Sequence, residues 1–337
     1  MITPLAGRSL AVLAGLALLL ASCGQQPQPA PQPHSVKLPG SGLGALVTDG
    51  RWVWVPNMND GTVTKVDART DAVVSTIPVA NPKDLYDQGC NPDPPHAYFH
   101  GSWYKRGCDS PSAIAAGAGA LWAADNGQRQ VVRVDPASDR VVARVQLPIR
   151  IWGVAAAEGT VWVTDFWGDA VAAIDAVTNS VRAVLSDLPA GPASVLAVPG
   201  AVWVVDSRAG QLTRIDPRTA TVVATIPIEP LGPAIAGDAG TVWVRVDNGG
   251  YLTRVEAATN QVVANLPVGP TEGGYGIDGI AALADGAWLS GIRVRHVDAR
   301  SNRLDRTLPS DALSVAAVPG HLWAATISGR LVHFRLS

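Results

Sequence analysis

Seven copies of one short pattern recur along this chain and limit what it can fold into. Each copy places a tryptophan in an apolar, β-branched run behind a glycine-containing turn, and successive copies are mostly about forty residues apart. Self-similarity at a fixed period of this size indicates a stacked or closed repeat architecture. The repeated tryptophans are Trp54, Trp122, Trp162, Trp203, Trp243, Trp288 and Trp323.

Each repeat divides into four short strands. In the fourth repeat, a small apolar run at 194–198 is followed by the turn Pro199-Gly200, the run around Trp203, and a third run that ends at Asp216. Glycine supplies the positive φ that such turns need, and the acid can cap the next turn. The pattern predicts an all-β fold, a seven-bladed β-propeller of four-stranded blades, with the tryptophans between neighbouring blades.

The two ends of the repeat region complement each other. The seventh repeat stops after its third strand, at 330–336, and residues 34–39 resemble the missing fourth strand. We therefore predict that residues 34–39 complete the last blade, which would remove the open sheet edges that invite aggregation. The propeller is predicted to occupy residues 34–337 as one domain.

Residues 1–22 read as an export signal, with an apolar run too short to span a membrane comfortably. The motif LASC, which ends at Cys23, looks like a bacterial lipobox and predicts a lipid on that cysteine; a plain secretory signal is the alternative. Residues 23–33 are rich in proline and glutamine and are predicted to be a tether. These features predict a monomeric lipoprotein of the cell envelope, facing the periplasm or the exterior.

Charge and cysteine content agree with export. Lysine and arginine number 26 against 28 acids, a balance of −2, and loss of Arg8 with the signal leaves 25 against 28, or −3. A chain without a basic surplus lacks the electrostatic footprint of a nucleic-acid binder. After Cys23 only Cys90 and Cys108 remain, and in an exported chain they most simply form a disulfide.

A family resemblance rests on the segments 161–165 (VWVTD), 215–219 (IDPRT) and 222–226 (VVATI). They resemble repeats of YVTN/YncE-type and streptogramin-lyase-like (virginiamycin B lyase-like) bacterial propellers. The resemblance covers about residues 34–337 and implies the propeller fold. Streptogramin lyases use histidine and glutamate with magnesium on the funnel face, and none of the six histidines here falls at that place.

No catalytic residue is therefore assigned. We interpret the chain as a ligand-binding or protein-interaction module, whose partner is an unknown small molecule or envelope protein. The alternative is a metal-assisted lyase or hydrolase of the streptogramin-lyase-like type acting at the funnel face.

The largest departure from the repeat is an insertion at 83–110. It lies between the first two repeats, lacks a strand pattern, and contains both cysteines together with Trp103 and Tyr104. A long insertion of this kind is often functional. A structural wall stapled by the disulfide is the alternative.

Further candidates lie in the loops that join second to third strands and in the connections between blades. These segments share one face of a propeller, where ligands usually bind. Aromatic side chains there suit a sugar, a peptide or another flat ligand, and basic ones suit an acidic group; packing of the insertion onto the ring is the alternative for the aromatics. The candidates for ligand binding are Trp103, Tyr104, Arg150, Trp152, Phe166, Trp167, Arg208, Arg245 and Tyr275.

Three aspartates occupy one repeated position. Asp125, Asp165 and Asp206 each stand three residues after the repeated tryptophan of consecutive blades. Their oxygens could ring the funnel and hold a divalent cation. The favoured alternative is that each carboxylate caps its own loop. We accordingly expect no cofactor, with a divalent cation as the alternative.

Overall fold

The computed structural model describes residues 33–81, 97–99, 102–104, 111–230, 234–246, 250–269 and 279–336, with the two short segments 97–99 and 102–104 described by their backbone alone. All of these belong to one compact unit, Pro33–Ser337. This part of the chain is built from strands and turns. It includes no helix long and apolar enough to cross a membrane.

Seven four-stranded antiparallel sheets form a ring, which confirms the seven-bladed β-propeller. The strands are β1 (His34–Lys37), β2 (Val47–Thr48), β3 (Trp52–Asn57), β4 (Thr62–Asp67), β5 (Val73–Pro78), β6 (Ala97–Phe99), β7 (Ser102–Tyr104), β8 (Ile114–Gly117), β9 (Ala120–Asp125), β10 (Gln130–Asp135), β11 (Arg140–Gln146), β12 (Gly153–Ala157), β13 (Thr160–Asp165), β14 (Ala170–Asp175), β15 (Ser180–Leu185), β16 (Pro192–Val198), β17 (Ala201–Asp206), β18 (Gln211–Asp216), β19 (Thr221–Pro227), β20 (Ala234–Gly237), β21 (Thr241–Val246), β22 (Tyr251–Glu256), β23 (Gln261–Pro267), β24 (Ile280–Leu283), β25 (Gly286–Leu289), β26 (Val294–Asp298), β27 (Arg303–Leu308), β28 (Ser314–Val318), β29 (His321–Ala325) and β30 (Arg330–Arg335).

Blades 1 to 7 follow one another in chain order. They consist of β2–β5, β8–β11, β12–β15, β16–β19, β20–β23, β24–β27, and β28–β30 with β1. Because consecutive strands of a blade run antiparallel, the second-to-third strand loops and the connections between blades lie on one face, the upper face. The remaining turns lie on the lower face.

Strand β1 closes the ring as predicted. It pairs with β30 in blade 7, with His34 opposite His333 and Lys37 opposite Arg330. The strand ends at Lys37, two residues short of the predicted 34–39, because Leu38 instead enters the core between blades 7 and 1. The innermost strand of each blade contacts the innermost strands on both sides, so the ring is continuous.

The repeated tryptophans form the core between blades. All seven are at most 1% exposed. The described residues form seven apolar clusters, and each cluster joins the tryptophan of one blade to the second strand of the next. A buried tryptophan contributes a large apolar area to such a junction. The core therefore consists of seven apolar clusters, one at each junction between blades, and each repeat needs its neighbour to bury its tryptophan.

A cation opposite the tryptophan ties most blades to the next. Arg214 pairs in register with Trp203, and its guanidinium carbon lies 5.0 Å from an indole ring centroid. Its Nη1 donates to Asn260 Oδ1 and Ala257 O of blade 5, each at 2.8 Å. Cation–π contact and charge-assisted hydrogen bonds both favour this arrangement, the cross-blade latch. The other Lys/Arg latches are Lys65 with Asp139, Arg133 with Asn179, and Arg254 with Asn302.

The latch is missing between blades 3 and 4, and both of its halves are missing together. Ala173 stands opposite Trp162 in place of the cation, and Ala220 replaces the Asp or Asn acceptor of the next blade. Arg182, a bulged residue of β15, lies over Trp162 instead, at 5.7 Å from a ring centroid. The Arg182 side chain also donates to Pro217 O of blade 4, so a cation still joins these two blades although the in-register pair is absent.

Replacing Ala220 with asparagine is expected to stabilise the fold by about 0.5–1 kcal/mol. Ala220 has a φ of 53°, a left-handed conformation that strains alanine and that asparagine tolerates. The matched control, Asn260→Ala, imposes the same strain and removes the acceptor of Arg214, so it should destabilise by about 1–2 kcal/mol. Denaturant midpoints measure both changes. A loss of stability in Ala220→Asn would contradict the conclusion that the backbone at position 220 strains alanine.

The acid that ends most third strands is part of the fold. Asp67 Oδ1 accepts a hydrogen bond from Thr70 N at 2.9 Å, and Asp175 Oδ1 accepts one from Thr178 N at 2.8 Å. These bonds hold the pKa of both carboxyls below the usual 3.8. Both acids cap their turns, as the sequence predicts, and they lie on the lower face.

Candidate functional site

Trp152 and Phe166 stack on the upper face of blade 3. Their ring centroids are 4.5 Å apart and their planes are inclined by 21°. Trp152 lies in the connection before β12. Its backbone N–H donates to Thr164 O at 2.8 Å and extends the pairing with β13. Phe166 follows β13 directly and is only 3% exposed. The fold thus brings together two aromatic rings that are fourteen positions apart in the chain.

Asp165 organises the backbone around these rings. Its Oδ1 accepts hydrogen bonds from Trp167 N at 3.1 Å and Gly168 N at 2.8 Å, and its Oδ2 accepts one from Arg150 N at 2.9 Å. Position 168 requires glycine, because a Cβ there would lie 2.6 Å from Asp165 Oδ2. One carboxylate therefore holds both the loop that carries Trp167 and the connection that carries the exposed Arg150.

Trp167 and Arg208 meet at the boundary between blades 3 and 4. Trp167 contacts Phe166 edge-on, with centroids 4.8 Å apart, and is 38% exposed. The Arg208 guanidinium carbon, from the β17–β18 loop, lies 5.2 Å from the Phe166 centroid and 5.8 Å from that of Trp167. Its Nη2 donates to Phe166 O at 3.1 Å and to Asp169 Oδ1 at 2.5 Å. We refer to Trp152, Phe166, Trp167, Asp169 and Arg208 as the aromatic–arginine cluster.

Asp169 is the member of this cluster that sequence reasoning missed. Its Oδ1 also accepts a hydrogen bond from Gly191 N at 2.8 Å, in the connection to blade 4. Asp169 has a φ of 48° at the last position of its loop, and Arg129 has a φ of 51° at the matching place in blade 2. Four other blades have glycine there, all with positive φ: Gly61, Gly210, Gly250 and Gly329.

A left-handed conformation costs a non-glycine residue about 1 kcal/mol. A charged side chain kept at such a position is a reason to suspect a role. An alignment of the seven repeats with one another would have exposed this departure at Asp169.

The cluster offers a flat apolar surface beside positive charge. The exposed indole of Trp167 is backed by buried Phe166, and the Arg208 side chain is 38% exposed. Aromatic faces accept sugar rings and other flat groups, and a guanidinium accepts carboxylate or phosphate in a fork geometry. Asp169, at 39% exposure, leaves Arg208 accessible to a second anion. The surface is therefore suited to a flat ligand that carries an acidic group.

Arg245 does not belong to this surface, contrary to the expectation from sequence. It is 1% exposed, and its Nη1 donates to Ser290 O of blade 6 at 2.9 Å. The residue belongs to β21, and its side chain is enclosed between blades 5 and 6. The sequence assigned Arg245 from its place near a loop, and that assignment takes no account of packing between blades. Its burial removes it from the ligand-binding candidates.

The three aspartates predicted as cation ligands have separate partners. Asp125 Oδ2 accepts a hydrogen bond from Gln130 Nε2 at 2.8 Å, and Asp165 is held by the three backbone N–H groups described above. Asp206 Oδ2 accepts one from Thr213 Oγ1 at 2.5 Å, while its buried Oδ1 has no hydrogen-bond partner. Within the described ranges, no group of three or more His, Cys, Asp or Glu side chains could hold a metal ion. A shared cation at these aspartates therefore has no support from that part of the chain.

Other predicted residues lie outside the described residues. These are Cys23, Cys90, Cys108 and Tyr275, together with the side chains of Trp103 and Tyr104. The backbone of the insertion forms a small hairpin of β6 and β7, with Tyr98 opposite Trp103. The expectation that the insertion has no strands was wrong at this point, since its aromatic residues favour paired extended backbone.

Comparison with known proteins supports the propeller class and goes no further. No protein-family model matches this chain. No curated protein matches it either.

Solved structures do match, at low sequence identity. A streptogramin B lyase has a TM-score of 0.66 and 14% identity, over 90% of this chain and 96% of that one. The virginiamycin B lyase from Staphylococcus aureus has a TM-score of 0.66 and 14% identity, over 91% and 99%. The Kuenenia stuttgartiensis hydrazine synthase has a TM-score of 0.68 and 16% identity, over 90% and 97%. At such identities the likeness shows the fold alone, and the fold hosts many functions.

Proposed function

We propose that this propeller is a binding module that takes a small acidic ligand at the aromatic–arginine cluster. The observation that carries the proposal is the pairing of an exposed indole, Trp167, with an exposed guanidinium, Arg208, across a blade boundary. Asp169 holds Arg208 in place from a strained backbone position. The ligand class that fits is a carboxylate-bearing sugar or another flat ring with an acidic group.

The proposal includes a location outside the cytoplasm. Its support is the export signal at 1–22, the lipobox-like motif at Cys23 and the proline- and glutamine-rich tether at 23–33. A lipid on Cys23 would hold a monomeric propeller at a membrane of the cell envelope. A net charge of −3 after cleavage gives no reason to expect a nucleic-acid partner.

Lipid attachment is tested by growth with an alkyne-tagged fatty acid. The wild-type chain should become labelled and remain with membranes. Cys23→Ser should lose the label and appear in the soluble fraction, because the acyl groups would be attached at Cys23 alone. Equal labelling of both chains would remove the anchor from the proposal.

Ligand binding is tested by titrating the full chain with tetragalacturonate, using its neutral galactose counterpart for comparison. Wild type should bind the acidic oligosaccharide at least about tenfold more tightly than the neutral one, a difference of about 1.4 kcal/mol. Trp167→Ala should weaken both, because the indole supplies stacking. Arg208→Gln should abolish the preference for the acidic form.

Trp52→Ala is the matched control for these variants. Trp52 is a half-buried tryptophan at the start of β3, at the lower-face end of blade 1. Its loss should leave both affinities unchanged. If wild type binds neither oligosaccharide, the acidic-sugar ligand is excluded, and an envelope protein becomes the partner to seek.

A metal-assisted lyase or hydrolase is the alternative function. It requires a divalent ion near Asp125, Asp165 and Asp206. Each of these carboxylates has its own hydrogen-bond partners within the described residues. Under that alternative, EDTA should lower the thermal midpoint and Mg²⁺ or Ca²⁺ should restore it. We expect no change in either step.

A further inference from the structure

Three histidines and an aspartate meet where the ring closes. His34 is the first residue of β1, His333 lies opposite it in β30, and His321 begins β29. Asp71 reaches them from blade 1, in the turn between β4 and β5. This group, the seam cluster, therefore joins the two ends of the propeller domain to its first blade.

The contacts of Asp71 with His333 and Trp323 are buried, and those of His34 and His321 are partly buried. Asp71 Oδ2 lies 2.9 Å from His34 Nδ1 and 2.9 Å from His333 Nδ1. His333 Nε2 lies 2.9 Å from His321 Nδ1, and Trp323 Nε1 donates to Asp71 Oδ1 at 3.3 Å. Asp71 and His333 are 8% and 6% exposed, whereas the His34 side chain is 66% exposed.

With all three histidines neutral, one choice of tautomers satisfies every contact. His34 and His333 donate Nδ1–H to the Asp71 carboxylate, which leaves His333 Nε2 as an acceptor. His321 then donates its Nδ1–H to His333 Nε2. We assign these tautomers from the hydrogen-bond network.

A first proton on His333 keeps every contact, because His333 Nε2–H then donates to His321 Nδ1, whereas a second proton, on His321, breaks the contact between the two rings. A cationic imidazole carries N–H on both nitrogens. If both rings were protonated, an N–H of each would face the other at a separation of 2.9 Å, between rings whose centroids are 5.1 Å apart. The single carboxylate of Asp71 cannot neutralise both cations, and Arg335 adds further positive charge at the same edge.

We propose that the seam cluster is a proton-sensitive clasp, which holds the ring closed at neutral pH and loosens it in mild acid. It occupies the place of a cross-blade latch, with His333 as the donor and Asp71 as the acceptor. Four other junctions use lysine or arginine there, and blade 6 places His296 there, 2.6 Å from Asp305 of its own blade. At the seam the histidine and its carboxylate partner belong to different blades, so a change in their charge acts on ring closure, and the inference does not depend on the proposed ligand.

The ionisation of His333 supports this direction. Burial lowers the pKa of His333 below 6.5, against the opposing effect of Asp71. A histidine whose pKa is lowered in the folded state binds its proton more readily when unfolded. Its contribution to stability is complete above about pH 6.5 and is lost as the pH falls from there through the lowered value.

The decisive experiment compares the thermal midpoint of the full chain at pH 7.5 and pH 5.0 in wild type and His321→Gln. The wild-type midpoint should fall by at least about 3 °C more than that of the variant, the size expected for one proton-linked group in a domain of this size. Glutamine can donate to neutral His333 or accept from its cation, and it carries no charge. His34→Gln tests whether the contact between His321 and His333 is the sensitive part of the cluster: it keeps that contact, so the wild-type response should persist.

Hydrogen exchange provides a second measurement that needs no variant. After correction for intrinsic rates, amides of β1 and β30 should lose at least about tenfold more protection between pH 7.5 and pH 5.0 than those of β14 and β18. Parallel midpoints in wild type and His321→Gln would overturn the proposal, as would a uniform loss of protection. An added zinc ion that reverses the acid response at the seam would point to a metal site instead, and would also overturn it.

Discussion

Replacing Trp203 with alanine is expected to lower the free energy of unfolding by about 3–5 kcal/mol. Trp203 is fully buried between blades 4 and 5, against Val242 and Val244 and beneath Arg214. Its Nε1 has no hydrogen-bond partner, so the loss is one of apolar burial and of the cavity left behind. Because a closed ring has no independent blade, the whole transition should shift to lower denaturant.

The control for this variant is a tryptophan of the upper face. Trp167→Ala removes a ring that is 38% exposed and should cost about 1 kcal/mol or less. Denaturant unfolding, followed by far-UV circular dichroism, measures both. An equal loss in the two variants would mean that the repeated tryptophans do not hold the junctions together.

Replacing Asp206 with asparagine should remove a pH dependence of stability. Burial raises the pKa of Asp206 from 3.8 to about 7, helped by the negative charge of Asp169 and opposed by the hydrogen bond from Thr213. The folded state therefore binds this proton more tightly than the unfolded state. The resulting stabilisation is complete below about pH 3.8 and is lost as the pH rises through about 7.

Above pH 7 the wild-type chain must bury a charge that Asp206→Asn does not carry. The variant is expected to be more stable there by on the order of 2–4 kcal/mol, with little difference near pH 4. Asp67→Asn is the control with the opposite sign, because the lowered pKa of Asp67 affects stability only as the pH falls below about 3.8. Parallel profiles for wild type and Asp206→Asn, in denaturant unfolding from pH 4 to 8.5, would show that Asp206 ionises freely in the fold.

This effect runs against that of the seam cluster. Asp206 favours the folded state in mild acid, and His333 favours it at neutral pH. The wild-type profile combines both effects with those of the other ionisable groups, so neither effect can be measured from wild type alone. All of the seam variants keep Asp206, and its contribution cancels when they are compared with one another.

The candidate site was predictable in part. Trp152, Phe166 and Trp167 could be assigned to one face because strand alternation places their loops there, and Arg208 follows by the same argument. Arg245 could not be judged in this way, since the path of a long side chain depends on how two blades pack. Asp169 was not predicted as a site residue, because its importance comes from its backbone conformation and from a partner in another blade.

The amino-acid pattern alone determined the number of blades, the strands within each blade, the buried tryptophans and the closing strand at the N-terminal end of the domain. These follow from local periodicity and turn chemistry, which repeat within about forty residues. Only the tertiary structure decided the contacts between blades: the cross-blade latch, its paired absence at Ala173 and Ala220, the aromatic–arginine cluster, and the three histidines around Asp71. Each of these depends on register and on the position of a neighbouring blade, and both are set by packing between segments that are distant in the chain.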